Sequence, residues 1–142
     1  TNMSIRDHNL ESIAPVFASF KIHQTTGVDD LKDANLGQPV MLTGNSEIGP
    51  ITNGGQLLGK LIALTLTDID TGKRVATVQI GGICRLAVSA TVPSIGNRVV
   101  GGTAGTVKQA PVLAAYDPAG GNIARGTVID INGTTDCLIL LN

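Results

Sequence analysis

From residue 37 onwards the chain consists of short stretches in which apolar and polar residues alternate, separated by glycine turns. A period of two residues is typical of β-strands that bury one face. The pattern predicts strands at residues 40–43, 60–67, 73–80, 83–88, 98–100, 106–109, 126–131 and 137–141. Asn132-Gly133, between the last two, is a strong hairpin signal. No stretch keeps a period of 3.6 residues, so we predict an all-β fold, a small antiparallel barrel or sandwich.

The first 36 residues have a different composition from the rest. All but one of the 18 glycines lie after residue 36, the exception being Gly27. Both histidines and both phenylalanines lie before it. This shift predicts an extended N-terminal arm over residues 1–36, followed by a β-barrel-like body over residues 37–142.

Within this arm, one short extended segment is amphipathic. Val16, Ala18, Phe20 and Ile22 fall on one face and polar residues on the other. A single strand of this kind is not stable alone. It either joins the sheet of its own body or adds to a strand of another chain. We take Val16, Phe17, Phe20 and Ile22 as candidate contact residues, with the phenylalanines as anchors.

The closing strand is apolar on both faces. Leu138 and Leu140 alternate with Ile139 and Leu141, and all four are apolar. In an antiparallel sheet such a run indicates that the second face is covered as well. The cover is either a second layer of the same chain or a neighbouring subunit, so Leu138 and Leu140 join the candidate contact residues.

Composition excludes several classes of protein. Ten Lys and Arg against 11 Asp and Glu leave no basic excess to bind nucleic acid. A hydrophobic content of 42% argues against disorder, and no apolar run of membrane-spanning length occurs. Residues 1–10 lack the pattern of a signal peptide. Only 15% of residues are charged, against about 25% in average chains.

Motifs for catalysis, metals or cofactors are weak. Cys84 and Cys137 are far apart without a CxxC pair, and we interpret them as buried thiols in a reducing compartment. Residues 54–60 fit GxxxxGK, but Leu61 stands where a phosphate-binding loop needs Ser or Thr. His8 and His23 both lie in the predicted arm, away from any cleft. We therefore expect a non-enzymatic protein without a cofactor or metal.

The order of several short motifs is more informative. They are Gln38-Pro-Val-Met-Leu-Thr-Gly44, Ala76-Thr-Val-Gln-Ile-Gly-Gly82, Thr91-Val-Pro-Ser-Ile-Gly-Asn-Arg-Val99 and Arg125-Gly-Thr-Val-Ile-Asp-Ile131. This succession resembles the capsid cement, or head-decoration, proteins of tailed bacteriophages. The resemblance covers about residues 37–142, and the arm is longer and more acidic than is usual there. It implies a small β-barrel-like body, trimeric in several members, that binds the outside of an assembled head and reinforces it.

These observations lead to one main hypothesis and two others. The first is a capsid cement protein that is made in the bacterial cytoplasm and then binds the major capsid protein on the outer virion surface. It would be a homo-oligomer, with a trimer favoured, and would bind neither nucleic acid nor membrane. The alternative is a phage receptor-binding or tail-associated β-module for a host glycan or small ligand, with Tyr116 and Asp117 as its candidate site. A hydrolase of unrecognised type is the third.

Overall fold

The computed structural model describes residues 15–65, 70, 73–89, 91–103, 105–111 and 124–141. This part of the chain is all-β, as predicted, apart from a short 3-10 helix at Asp33–Asn35. Its strands are β1 (Val16–Ile22), β2 (Gln24–Thr25), β3 (Val28–Asp29), β4 (Pro39–Gly44), β5 (Glu47–Pro50), β6 (Gly59–Leu64), β7 (Val75–Ala87), β8 (Val99–Gly101), β9 (Val107–Gln109), β10 (Thr127–Asn132) and β11 (Asp136–Leu141).

Five of the strands form a closed barrel, which confirms that part of the prediction. The ring runs β1-β5-β4-β6-β7, and β7 pairs back onto β1. Every pairing in the ring is antiparallel except β1 with β5. The interior of so small a closed barrel has room only for the side chains of its own strands, and here apolar side chains fill that interior. We call this cluster the barrel core: Ile22, Leu31, Val40, Ile48, Leu61, Ala76 and Val78.

A second apolar cluster lies beyond the end of the barrel. Strand β7 continues there and pairs with β11, which pairs in turn with β10. The β8–β9 hairpin is linked to the same region through isolated bridges from Val88 to Val107 and from Val99 to Arg125. Both cysteines are buried in this second core, as predicted from the sequence. Its buried members are Ile51, Leu57, Cys84, Leu86, Val88, Val99, Val107, Val128, Cys137, Ile139 and Leu141.

A single 13-residue strand, β7, serves both cores, where the sequence predicted two strands broken at Gly81-Gly82. Gly82 has a φ of +83°, which bends the strand without ending it. The Gln79 side chain is only 3% exposed. Its amide nitrogen donates hydrogen bonds of 3.0 and 3.2 Å to the carbonyls of Gly81 and Ile83. These bonds satisfy a buried amide and fix the bend.

Part of the predicted arm, residues 16–22, contributes a strand to the barrel. Val16–Ile22 pairs with β7 of the same chain, from Val16 opposite Gly81 to Lys21 opposite Val75. Leu31, 1% exposed, packs in the barrel core. Of the two alternatives for the amphipathic segment, joining its own sheet is the one observed, and Phe20 and Ile22 of its apolar face pack in the barrel core. Residues 1–14 lie outside the described residues.

Strand β6 does not keep the simple alternation expected for residues 60–67. The register shifts between Leu61 and Ala63, where each pairs with β7. Leu61 is fully buried, whereas the next two residues, Ile62 (38% exposed) and Ala63, are both exposed. Leu64 returns to the barrel core on the far side of the irregularity. A bulge of this kind changes which residues face inwards and leaves no clear mark in the sequence.

The two neighbours in β6 give a matched test of the barrel core. We expect Leu61→Ala to lower the free energy of unfolding by about 2–5 kcal/mol, because it removes buried methyl groups and leaves a cavity. Ile62→Ala is the control, with an expected loss of about 1 kcal/mol or less because its side chain already contacts water. Urea unfolding of both variants measures the difference. Equal losses would contradict the observed register of β6.

Candidate functional site

The first two residues of β1 form an exposed apolar surface. Val16 is 53% exposed and Phe17 is 52% exposed. The other two candidates on this strand point into the molecule: Ile22 is 7% exposed and Phe20 packs against the barrel core. The structure therefore keeps Val16 and Phe17 as available contact residues and gives Phe20 and Ile22 a role in packing.

In the part of the chain that the structure describes, one edge of β1 has no partner strand at the same place. The backbone N–H groups of Lys21 and His23 donate 2.8 Å hydrogen bonds to the carbonyls of Ser46 and Ile48. Backbone direction alternates along a strand, so Phe17 and Ser19 present their N–H and C=O groups to this same edge. Among the described residues, β5 pairs with β1 only at Lys21 and Ile22. We call Val16, Phe17 and the free edge beside Phe17 and Ser19 the β1 edge.

The candidates on the closing strand divide in the same way. Leu138 is fully buried and Leu140 is 38% exposed. Leu138 is therefore covered by residues of its own chain. Of the two covers considered, a second layer of the same chain and a neighbouring subunit, the first applies at Leu138. Next to it, Arg85 and Asp136 form an ion pair of 2.6 Å between Nη1 and Oδ1. Leu140 remains accessible but presents less surface than Val16 or Phe17.

Beyond the C-terminal end of β1, polar side chains join the β2–β3 hairpin. Nδ1 of His23 lies 2.6 Å from Oδ2 of Asp30, and the Thr25 hydroxyl donates to Oδ1 of Asp30 at 2.8 Å. The hydrogen bond to Asp30 raises the pKa of His23, and the charges of Asp30 and Glu47 add to the effect. The same bond, with that from Thr25, lowers the pKa of Asp30. Both shifts favour the charged forms of the two side chains, and a hydrogen bond between charged groups is stronger than one between neutral groups.

Other reactive side chains lie apart from this pair. Burial raises the pKa of the Cys137 thiol to about 12, so it carries a proton at neutral pH and is a poor nucleophile. The described residues contain no group of three or more His, Cys, Asp or Glu suited to a metal ion. They also contain no helix long and apolar enough to cross a membrane. Tyr116 and Asp117, the candidate glycan site, lie outside the described residues.

Comparisons with protein families, with curated proteins and with solved structures find no match to this chain.

The His23–Asp30 pair predicts a pH dependence of stability. His23 has a raised pKa in the folded state, so its contribution is complete below its usual value of 6.5 and is lost as the pH rises through the raised value. Asp30 has a lowered pKa, so its contribution is present above its usual value of 3.8 and is lost as the pH falls through the lowered value. Stability should therefore decline through this pair as the pH rises above 6.5 and through the raised pKa of His23.

Thermal unfolding at a series of pH values measures this decline. His23→Gln keeps a side-chain amide that can donate to Asp30 but cannot titrate, so its melting temperature should change less over the same range. Lys21→Gln, a change at a neighbouring exposed position, is the control and should keep the wild-type profile. A His23→Gln profile as steep as that of the wild type would show that another group is responsible.

Proposed function

We propose that this protein is a non-enzymatic capsid cement protein that binds the outer surface of an assembled phage head and stabilises the lattice of the major capsid protein. The observation that carries the proposal is the β1 edge. It combines two large exposed apolar side chains with strand backbone that has no partner among the described residues, on a filled barrel. The order of motifs between residues 38 and 131 supports the same conclusion.

A strand edge of this kind is suited to pairing with a strand of a partner. Main-chain hydrogen bonds supply affinity in such an addition, and alternate side chains supply specificity. Phe17 is the natural anchor because a large aromatic side chain buries much area at low entropic cost. The opposite edge of β1 already pairs with β7, so little ordering is needed when a partner binds.

The low charge of the chain fits a role in which one surface meets a shell at many equivalent positions. Only 15% of residues are charged, so few charges lose water when the surfaces meet. On a symmetric lattice each contact is repeated, and modest contacts sum to strong attachment. We also propose that the protein is a homo-oligomer, with a trimer favoured. Light scattering of the purified protein measures its oligomeric state directly.

The alternative function is a receptor-binding or tail-associated module for a glycan or small ligand, which needs a site built around Tyr116 and Asp117. No observation on the described residues favours that site. Measurement of glycan binding by the wild type and by Tyr116→Ala tests this alternative.

Phe17→Ser tests the β1 edge. Purified protein is mixed with heads assembled without it, and the bound fraction is measured after sedimentation. We expect at least about a tenfold loss of affinity, because removal of a central aromatic anchor costs about 2 kcal/mol or more. Ile95→Ser is the matched control, since Ile95 is 62% exposed at a separate turn and should bind as the wild type does.

Urea unfolding of both variants verifies that the fold is intact. Binding of Phe17→Ser equal to that of Ile95→Ser would remove the β1 edge from the interface. Failure of the wild-type protein to bind the heads at all would contradict the proposed function itself.

A further inference from the structure

A cavity of about 350 Å³ lies where the barrel core meets the second core. Leu57 and Met41 connect its wall to the second core, whereas Leu58 and Ile80 connect it to the barrel core. Leu42, 50% exposed, is at its rim. Ligand pockets have volumes of about 300–1,000 Å³. The cavity is therefore large enough to hold a small molecule.

Among the described residues that line this wall, Arg125 is the one cation. Its Nη1 donates to the carbonyl of Leu58, and its Nη2 donates to the carbonyl of Ile80. Its own backbone pairs with Val99 in both directions, at 3.0 and 3.1 Å. A guanidinium has five N–H donors, so two carbonyls use only part of its capacity. The side chain is held in place and still has donors to offer.

Among the described residues, no carboxylate pairs with Arg125. Arg74 and Arg85 each bind a carboxylate, at 2.8 Å from Asp33 and 2.6 Å from Asp136. In the part of the chain that the structure describes, the hydrogen bonds of the Arg125 side chain go to carbonyl oxygens alone. Burial lowers its pKa, but a guanidinium remains protonated in proteins. A partly buried cation without an anion is costly, and an anion that reaches it gains a strong, paired hydrogen bond.

We propose that this cavity, the Arg125 pocket, binds a small amphiphilic carboxylate. The apolar body of the ligand would lie against Met41, Leu57 and Ile80, and its carboxylate would accept hydrogen bonds from the free N–H groups of Arg125. Charge complementarity selects the anion, and the apolar wall selects against small polar anions. A purely apolar ligand of the same length lacks the partner that Arg125 needs.

Three probes separate these contributions in an amide NMR titration of the full chain. Octanoate carries both the apolar body and the carboxylate, octanol lacks the charge, and acetate lacks the body. We expect saturable binding of octanoate, with shifts centred on Leu57, Leu58, Ile80 and Arg125, and at least about tenfold weaker binding of the other two. Equal affinity for octanol and octanoate, or no saturable binding of octanoate, would overturn the proposal.

A variant at the rim gives a second test that leaves the Arg125 hydrogen bonds in place. Leu42→Glu puts a carboxylate beside the pocket and should reduce the affinity for octanoate at least about tenfold. Leu36→Glu is the control, because Leu36 is similarly exposed, at 44%, and does not line the pocket. Wild-type affinity in Leu42→Glu would contradict the site. No capsid is used here, so these results are independent of the proposed function.

Discussion

The structure depends on backbone hydrogen bonding along both edges of β7. In the barrel β7 pairs with β1 on one side and β6 on the other, and beyond the bend it pairs with β11. Because the bend at Gly82 preserves the side-chain alternation, Ala76 and Val78 face the barrel core while Cys84 and Leu86 face the second core. Gln79 fixes that bend from a buried position. Two small cores are thereby stabilised by one strand.

This arrangement determines which surfaces are left for partners. β1 is held by β7 along one edge and by the barrel core through Phe20 and Ile22, so its exposed features are the opposite edge and the side chains of Val16 and Phe17. Arg125 links the entry to β6 with the bend of β7 through the carbonyls of Leu58 and Ile80. Its charge then lies beside a cavity between the two cores. Both proposed binding surfaces are therefore consequences of how the barrel closes.

Much of the fold could be predicted from residue alternation and turn chemistry. The inward faces of β7 follow the period of two, and Asn132-Gly133 marks the hairpin between β10 and β11. Gly81-Gly82 predicts a break in the strand, because a glycine pair gives the same signal at a turn and at a bend. The burial of Leu138 depends on which residues pack over its side chain, and the local sequence pattern does not predict these residues. The position of Arg125 cannot be predicted from the sequence, because its hydrogen-bond partners are backbone carbonyls of residues distant in sequence, which any residue type supplies.

Hydrogen exchange of the β1 amides, free and on assembled heads, tests most directly whether this edge is the contact surface. The N–H groups of Phe17 and Ser19 point away from β7, so their protection reports on a partner strand. We predict that exchange in the peptide covering residues 15–20 slows at least about tenfold on binding, as expected for newly formed strand hydrogen bonds. Exchange within β7 should stay unchanged. Unaltered exchange at residues 15–20, with protection appearing elsewhere, would contradict the account.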